Sequence, residues 1–124
     1  MSESARTLFA TAIGDAEQTA LLLDSSGAPL AGSYIDQNGR DISSEIGAAL
    51  SGVSKEVSRS MRLLSLGGWT AVVIETEAAT IALAPAARDA VVLLASSSTV
   101  PLGLVRRVLT RSIALAINWM SGRA

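Results

Sequence analysis

The stretch WTAVVIETEAATIALAPAARDAVVLLA, residues 69–95, decides the fold. It holds three apolar runs, Ala71-Val72-Val73-Ile74, Ile81-Ala82-Leu83-Ala84 and Val91-Val92-Leu93-Leu94, none of which alternates apolar with polar. A strand with one wet face alternates, whereas a strand that stays apolar along its length needs cover on both faces. The runs predict strands over Trp69–Glu75, Thr80–Ala84 and Ala90–Ala95. Their connections are too short for a parallel crossover, so consecutive strands pair antiparallel.

Upstream of this stretch the pattern changes period. A helix is predicted over Ile42–Leu64, with Asp41 as N-cap, an apolar stripe of Ile42, Ile46, Leu50, Val53, Val57, Met61 and Leu64, and Gly67-Gly68 behind it. Before it, Ala20–Leu23 and Leu30–Ile35 read as a hairpin about the turn Asp24-Ser25-Ser26-Gly27. A short amphipathic helix runs from Ala5 to Ile13 and stops at Gly14, and a last helix runs from Pro101 to Trp119. The order α-β-β-α-β-β-β-α places a five-stranded antiparallel sheet between helices. The expected architecture is a single α+β domain over residues 1–124, a three-layer α/β/α sandwich with the long helix on one face and the terminal helices on the other.

Composition excludes chemistry. The 124 residues contain no Cys and no His, so disulfides, thiolate metal sites and the commonest general base are absent. Ten basic and eleven acidic residues leave a net charge of −1, which offers no global field for nucleic acid. The longest apolar run, Ile81–Ala95, is broken by Pro85, Arg88 and Asp89, so no membrane insertion is expected. An acidic residue at position 3 and a short apolar stretch argue against a secretory signal, and a cytoplasmic protein is expected. Asp15, Glu17, Asp24, Asp36, Asp41, Glu75, Glu77 and Asp89 fall mostly at turns or caps, where carboxylates serve local hydrogen bonds. No phosphate-cradling glycine motif occurs. No catalytic residue, cofactor or metal is expected.

Two segments resemble a known family. Leu22-Leu23-Asp24-Ser25-Ser26-Gly27-Ala28-Pro29-Leu30 is similar to the first hairpin of Roadblock/dynein-light-chain domains, and Ser98-Thr99-Val100-Pro101-Leu102-Gly103-Leu104-Val105-Arg106 is similar to their C-terminal signature. The Leu-Gly-Leu-Val-Arg run is closest to the MglB-type bacterial members. The resemblance spans about positions 3 to 119. It departs where Gln18-Thr19 stand in place of a frequent Gly, and in lacking the acidic tail of some MglB proteins. It implies the same sandwich, a homodimer with the third strand and the long helix at the two-fold axis, and a small Ras-like GTPase as partner.

The residues carry features that such a protein would use. On the long helix, Gly47, Ser51, Ser54 and Ser58 form a small-residue stripe beside the apolar one, suited to close approach of another backbone. Lys55, Arg59 and Arg62 lie on the outer arc as rim charges for a partner. Trp69, Ala71 and Val73 mark the third strand, whose apolar edge needs pairing. On the last helix, Leu102, Val105, Leu109, Ile113, Ile117 and Met120 form one stripe and Leu104, Val108, Leu115 and Trp119 a second, more than one sheet face needs. The expected function is a homodimeric adaptor that binds and regulates a small Ras-like GTPase. A scaffold without effect on GTP turnover is the alternative; a small-molecule sensor is the remoter one, which a large pocket would favour.

Overall fold

The computed structural model describes residues 1–14 and 18–122; Asp15 and Glu17 lie outside these. The strands β1 (Gln18–Leu23), β2 (Pro29–Gly32), β3 (Val72–Glu75), β4 (Ala79–Pro85) and β5 (Val91–Ser97) form one sheet in the order β2-β1-β5-β4-β3. Every neighbouring pair is antiparallel. The long helix α3 (Ser43–Leu63) covers one face; α4 (Leu102–Ser121), with two short helical turns from the N-terminus, covers the other.

Strand register sorts the side chains into two cores. The rows Leu21–Leu93–Leu83–Val72 and Leu23–Val91 face α3, and the rows Ala20–Leu94–Ala82–Val73 and Leu22–Val92–Ala84 face α4. Bulk and smallness are matched across each interface. Under α4 the sheet presents Ala20, Ala31, Ala82 and Ala84, and the helix supplies Val105, Val108 and Leu109. Under α3 the sheet presents leucines, and the helix meets it with Ile46, Leu50 and Val53 beside a buried Ser43 and Gly47. Alternating large and small groups across a contact fills space at interior density.

Gly47 has its own reason. A Cβ there would overlap the carbonyl oxygen of Gly27 and stand 3.0 Å from Leu23 Cδ2. Gly27 sits at φ +88°, in the left-handed region that the hairpin turn requires. Asp24 holds that turn: its Oδ1 accepts from Ser26 N at 2.9 Å, Ser26 Oγ at 2.7 Å and Ala28 N at 2.9 Å. Two glycines therefore let α3 rest against the β1–β2 turn, backbone to backbone.

Several boundaries differ from the sequence reading. The helix expected over Ala5–Ile13 is two single turns, α1 (Glu3–Arg6) and α2 (Ala10–Ile13). Thr7 donates its hydroxyl to the Glu3 carbonyl at 2.9 Å, a back-bond that competes with a regular helix, and the break leaves Ala5, Phe9 and Ala12 all buried. The strand expected over Leu30–Ile35 ends at Gly32, whose φ of +77° turns the chain away, and Ile35 is half exposed with only a bridge to Asp41. The helix α3 starts one residue later than expected, so Ile42 and not Asp41 is the N-cap residue, and Asp41 just before it accepts from Ser43 N at 2.9 Å and Ser43 Oγ at 2.6 Å. Ser43 Oγ in turn accepts from Tyr34 N at 2.7 Å, tying the helix start to the end of the hairpin. Trp69 precedes the third strand, which begins at Val72.

The apolar stripe of α3 is also shorter than its periodicity implies. Packing on the sheet ends at Val53; Val57 and Met61 are only half-buried, and Leu64 is 62% exposed, beside Leu63 at 71% and Leu66 at 66%. The helix outlasts the strands it covers.

The two helix glycines predict opposite outcomes. Gly47→Ala should lower the unfolding free energy in urea by about 3 kcal/mol, since the added methyl meets backbone that cannot yield. Gly52→Ala, with open space where its Cβ would stand, should raise it by up to about 1 kcal/mol. The Asp24 carboxyl is held below its ordinary value of 3.8, chiefly by the Ser26 hydroxyl and then by the Ala28 amide. A carboxylate depressed in the folded state stabilises above the unfolded pKa and loses that effect as pH falls through the folded one. Asp24→Asn should therefore flatten the loss of stability below about pH 4, measured by denaturation at a series of pH values.

Candidate interaction surface

The sheet has two edges, and they are built differently. At β2 the edge carries Pro29, an irregular register between Leu22 and Leu23, and a left-handed Gly32, and α1 and α3 pack against it. Proline, a bulge and a covering element each block the addition of another strand. At β3 the edge runs Val72-Val73-Ile74, half-buried and regularly paired to β4 on one side only. It carries none of the devices that protect β2.

The chain reaches that bare edge from the end of α3, where Leu63, Leu64 and Leu66, a few residues before β3 in sequence, are exposed. Three adjacent large apolar side chains, each more than half exposed, make a surface patch of the kind that marks contact with another protein. The expected residue Ala71 is exposed just before β3, while Val73 packs its side chain into the α4-side core and offers only its strand edge.

The small-residue stripe is placed otherwise than its spacing implied. Gly47 is buried against Gly27 and is no partner contact: the close backbone approach it permits is made within this chain. Ser51 stands against the same turn; a Cβ on Gly27 would be 3.0 Å from the Ser51 Cβ. Ser54 is half-buried and returns its hydroxyl to the Ser51 carbonyl at 3.0 Å. Ser58 accepts a hydrogen bond from Trp69 Nε1 at 2.8 Å. Trp69 is half-buried on the α3-side core, so its indole fastens the loop after α3 back onto the helix. Lys55, Arg59 and Arg62 are exposed. Arg59 forms an ion pair with Glu56 at 2.5 Å, which lowers the Glu56 pKa and raises that of Arg59.

A cleft of about 700 Å³ opens where Ser54, Lys55, Ser58 and Arg62 of α3 face Trp69 and the β4–β5 turn. That turn is unusual. Ala90 N donates to the Ala87 carbonyl at 2.9 Å, so Arg88 and Asp89 are its two central residues, and both have positive φ, +53° and +64°. Such a two-residue turn favours Asn-Gly or Asp-Gly, because side chains are strained there. The signal was present in the sequence as an Arg-Asp pair in a hairpin connection with no glycine.

On the opposite layer, α4 buries Val105, Val108, Leu109, Ser112 and Ala116. The N-terminal turns cover part of the remaining apolar arc, and Leu102, Leu104 and Ile117 stay exposed. Among the described residues no group of acidic, His or Cys side chains is placed to hold a metal ion, and no helix is long and apolar enough to cross a membrane.

The architecture matches known structures over nearly the whole chain. Myxococcus xanthus MglB superposes with a TM-score of 0.80 at 14% identity, covering 97% of both chains. A Roadblock/LC7 domain from Streptomyces avermitilis gives 0.79 at 13% identity, over 94% of this chain and 97% of the other. The chain has the Roadblock/LC7 fold. An MglB with a tetrameric arrangement gives a TM-score of 0.73 at 21% identity, over 92% of this chain and 86% of that one. No protein-family model and no curated protein matches the sequence. The Roadblock/LC7 fold is thus carried here by packing rules that a very different sequence satisfies.

Replacing Arg88-Asp89 by Asn-Gly should relieve the turn and raise the unfolding free energy by about 1 kcal/mol, read from urea denaturation with the slope unchanged.

Proposed function

We propose that the protein is a homodimeric Roadblock-type adaptor that binds and regulates a small Ras-like GTPase and has no catalytic chemistry of its own. One observation carries the dimer: the Val72-Val73-Ile74 edge is paired on one side only and unprotected, while the opposite edge is blocked. Pairing of β3 with its twin would satisfy the free backbone groups and give one continuous sheet across the two-fold axis, and the exposed leucines at the end of α3 add apolar surface for the same partner. The GTPase as partner rests on the family resemblance of the first hairpin and of the start of α4, supported by the shared fold with MglB.

In this reading the outer arc of α3 is the docking face, with Lys55 and Arg62 as exposed charges that steer association. Any acceleration of GTP hydrolysis would come from binding the partner in its active conformation and shifting that population. Arg59 is held by Glu56 and is poorly placed to act as a finger in trans. The alternative is a scaffold that docks its partner whatever nucleotide that partner holds.

Leu64→Glu should convert a dimer to a monomer in sedimentation analysis without loss of folded circular dichroism, because Leu64 makes little contact inside its own chain. A dimer unaffected by that charge would remove the β3–α3 interface. Co-elution with the Ras-like GTPase of the native host should be strong with a non-hydrolysable GTP analogue and weak with GDP. Equal binding in both states supports the scaffold, and no binding in either refutes both.

A further inference from the structure

The cleft beside α3 has a composition that neither the dimer nor the fold requires. Lys55 and Arg62 reach it from the helix and Arg88 from the β4–β5 turn, three cations brought together from two elements in a chain whose net charge is −1. Asp89 is the only carboxylate in the lining, and among the described residues the only ion pair is Arg59–Glu56, outside the cleft. The three cations thus face one carboxylate and form no ion pair with it, and a concave site with low-dielectric walls concentrates the remaining positive field.

The neutral polar groups have the same bias. Ser58 Oγ accepts from Trp69 Nε1 at 2.8 Å, so the serine keeps its own proton to donate. Ser25 and Ser54 add two more hydroxyls to the lining, that of Ser54 already donating to the Ser51 carbonyl. Donors therefore outnumber acceptors, and the complementary ligand is rich in acceptors and negatively charged. The wall behind them is apolar, made by Trp69, Pro85, Ala86 and Val91, and a volume of about 700 Å³ lies in the range of small-molecule sites. Arg88 is presented from a strained left-handed conformation; strain of this kind is often retained at ligand clamps.

We propose that this cleft binds a small phosphorylated organic molecule, its phosphates held by Lys55, Arg62 and Arg88 and its organic part lying against Trp69 and Pro85. Guanidinium groups match phosphate oxygens in pairs of parallel hydrogen bonds, and the ammonium adds a point charge. A ligand of this size fills the concavity, whereas an acidic segment of a partner protein would need only the rim. The proposal does not rest on the GTPase reading, because it is tested on the isolated chain.

The test is calorimetric titration of the full chain with adenosine 5′-diphosphate and with pyrophosphate at constant ionic strength. Saturable binding of both is expected, with the diphosphate nucleoside at least as tight as pyrophosphate. Arg62→Gln and Arg88→Gln should each weaken binding by about tenfold. Arg106→Gln with Arg107→Gln, on the exposed side of α4, should change nothing. Both sets lie on the surface, and circular dichroism checks that they fold. The proposal fails if neither probe saturates, if the cleft variants bind as the parent does, or if the α4 variant loses as much. It also fails if a polyglutamate peptide binds through the same arginines as tightly as the nucleotide, which would assign the cleft to an acidic protein segment.

Discussion

The central strand governs this molecule. In β5 every side chain from Val91 to Ser96 is buried, on both faces of the sheet, so neither face can be left to water. Burying apolar surface stabilises by about 25 cal/mol per Å², and a one-sided sheet would forfeit that on a whole layer. Two helical layers follow from this requirement, and so does the sorting of residues by register into a Leu-rich core under α3 and an Ala-rich core under α4. The helices differ accordingly: α4 brings bulk to alanines, and α3 brings glycine and serine to leucines and to a turn.

The second consequence lies at the edges. A five-stranded sheet has two of them, and this chain blocks one with Pro29, an irregular register and packed helical turns, while leaving Val72-Val73-Ile74 open. The same α3 that covers the sheet is longer than the cover requires, and its last turn and the residues after it expose Leu63, Leu64 and Leu66. The open edge and the exposed leucines are the two apolar features this fold leaves without cover of their own. The cleft by Lys55, Arg62 and Arg88 is of another kind. It is polar at its rim, lies at the ends of the strands, and draws on a strained turn whose central residues, Arg88 and Asp89, belong to neither core.

Much of this was legible beforehand. Unbroken apolar runs in residues 69–95 required a sheet covered twice, and the turn residues gave the element order. What misled was periodicity taken beyond its reach. The i, i+4 pattern of α3 continues to Leu64, although the sheet beneath ends at Val53, because a helix repeats without regard to the length of its support. The first helix broke at Thr7, where a side-chain hydroxyl competed for a backbone carbonyl. Of the small-residue stripe, Gly47 and Ser51 stand where another backbone approaches closely, and that backbone is the chain's own turn at Gly27, because a spacing on one helix carries no information about what approaches.

The sequence by itself determined the fold class, the order of elements and the lack of any histidine or cysteine chemistry, since these follow from local pattern and from which residue types exist at all. Only the tertiary structure decided that Gly47 serves Gly27 within the chain, that Trp69 bonds Ser58, that one sheet edge is blocked and the other open, and that Arg88 joins Lys55 and Arg62 around one cleft. Each of those is a meeting of residues distant in the chain. Such meetings are set by how layers stack and where strands end, quantities that no single segment contains.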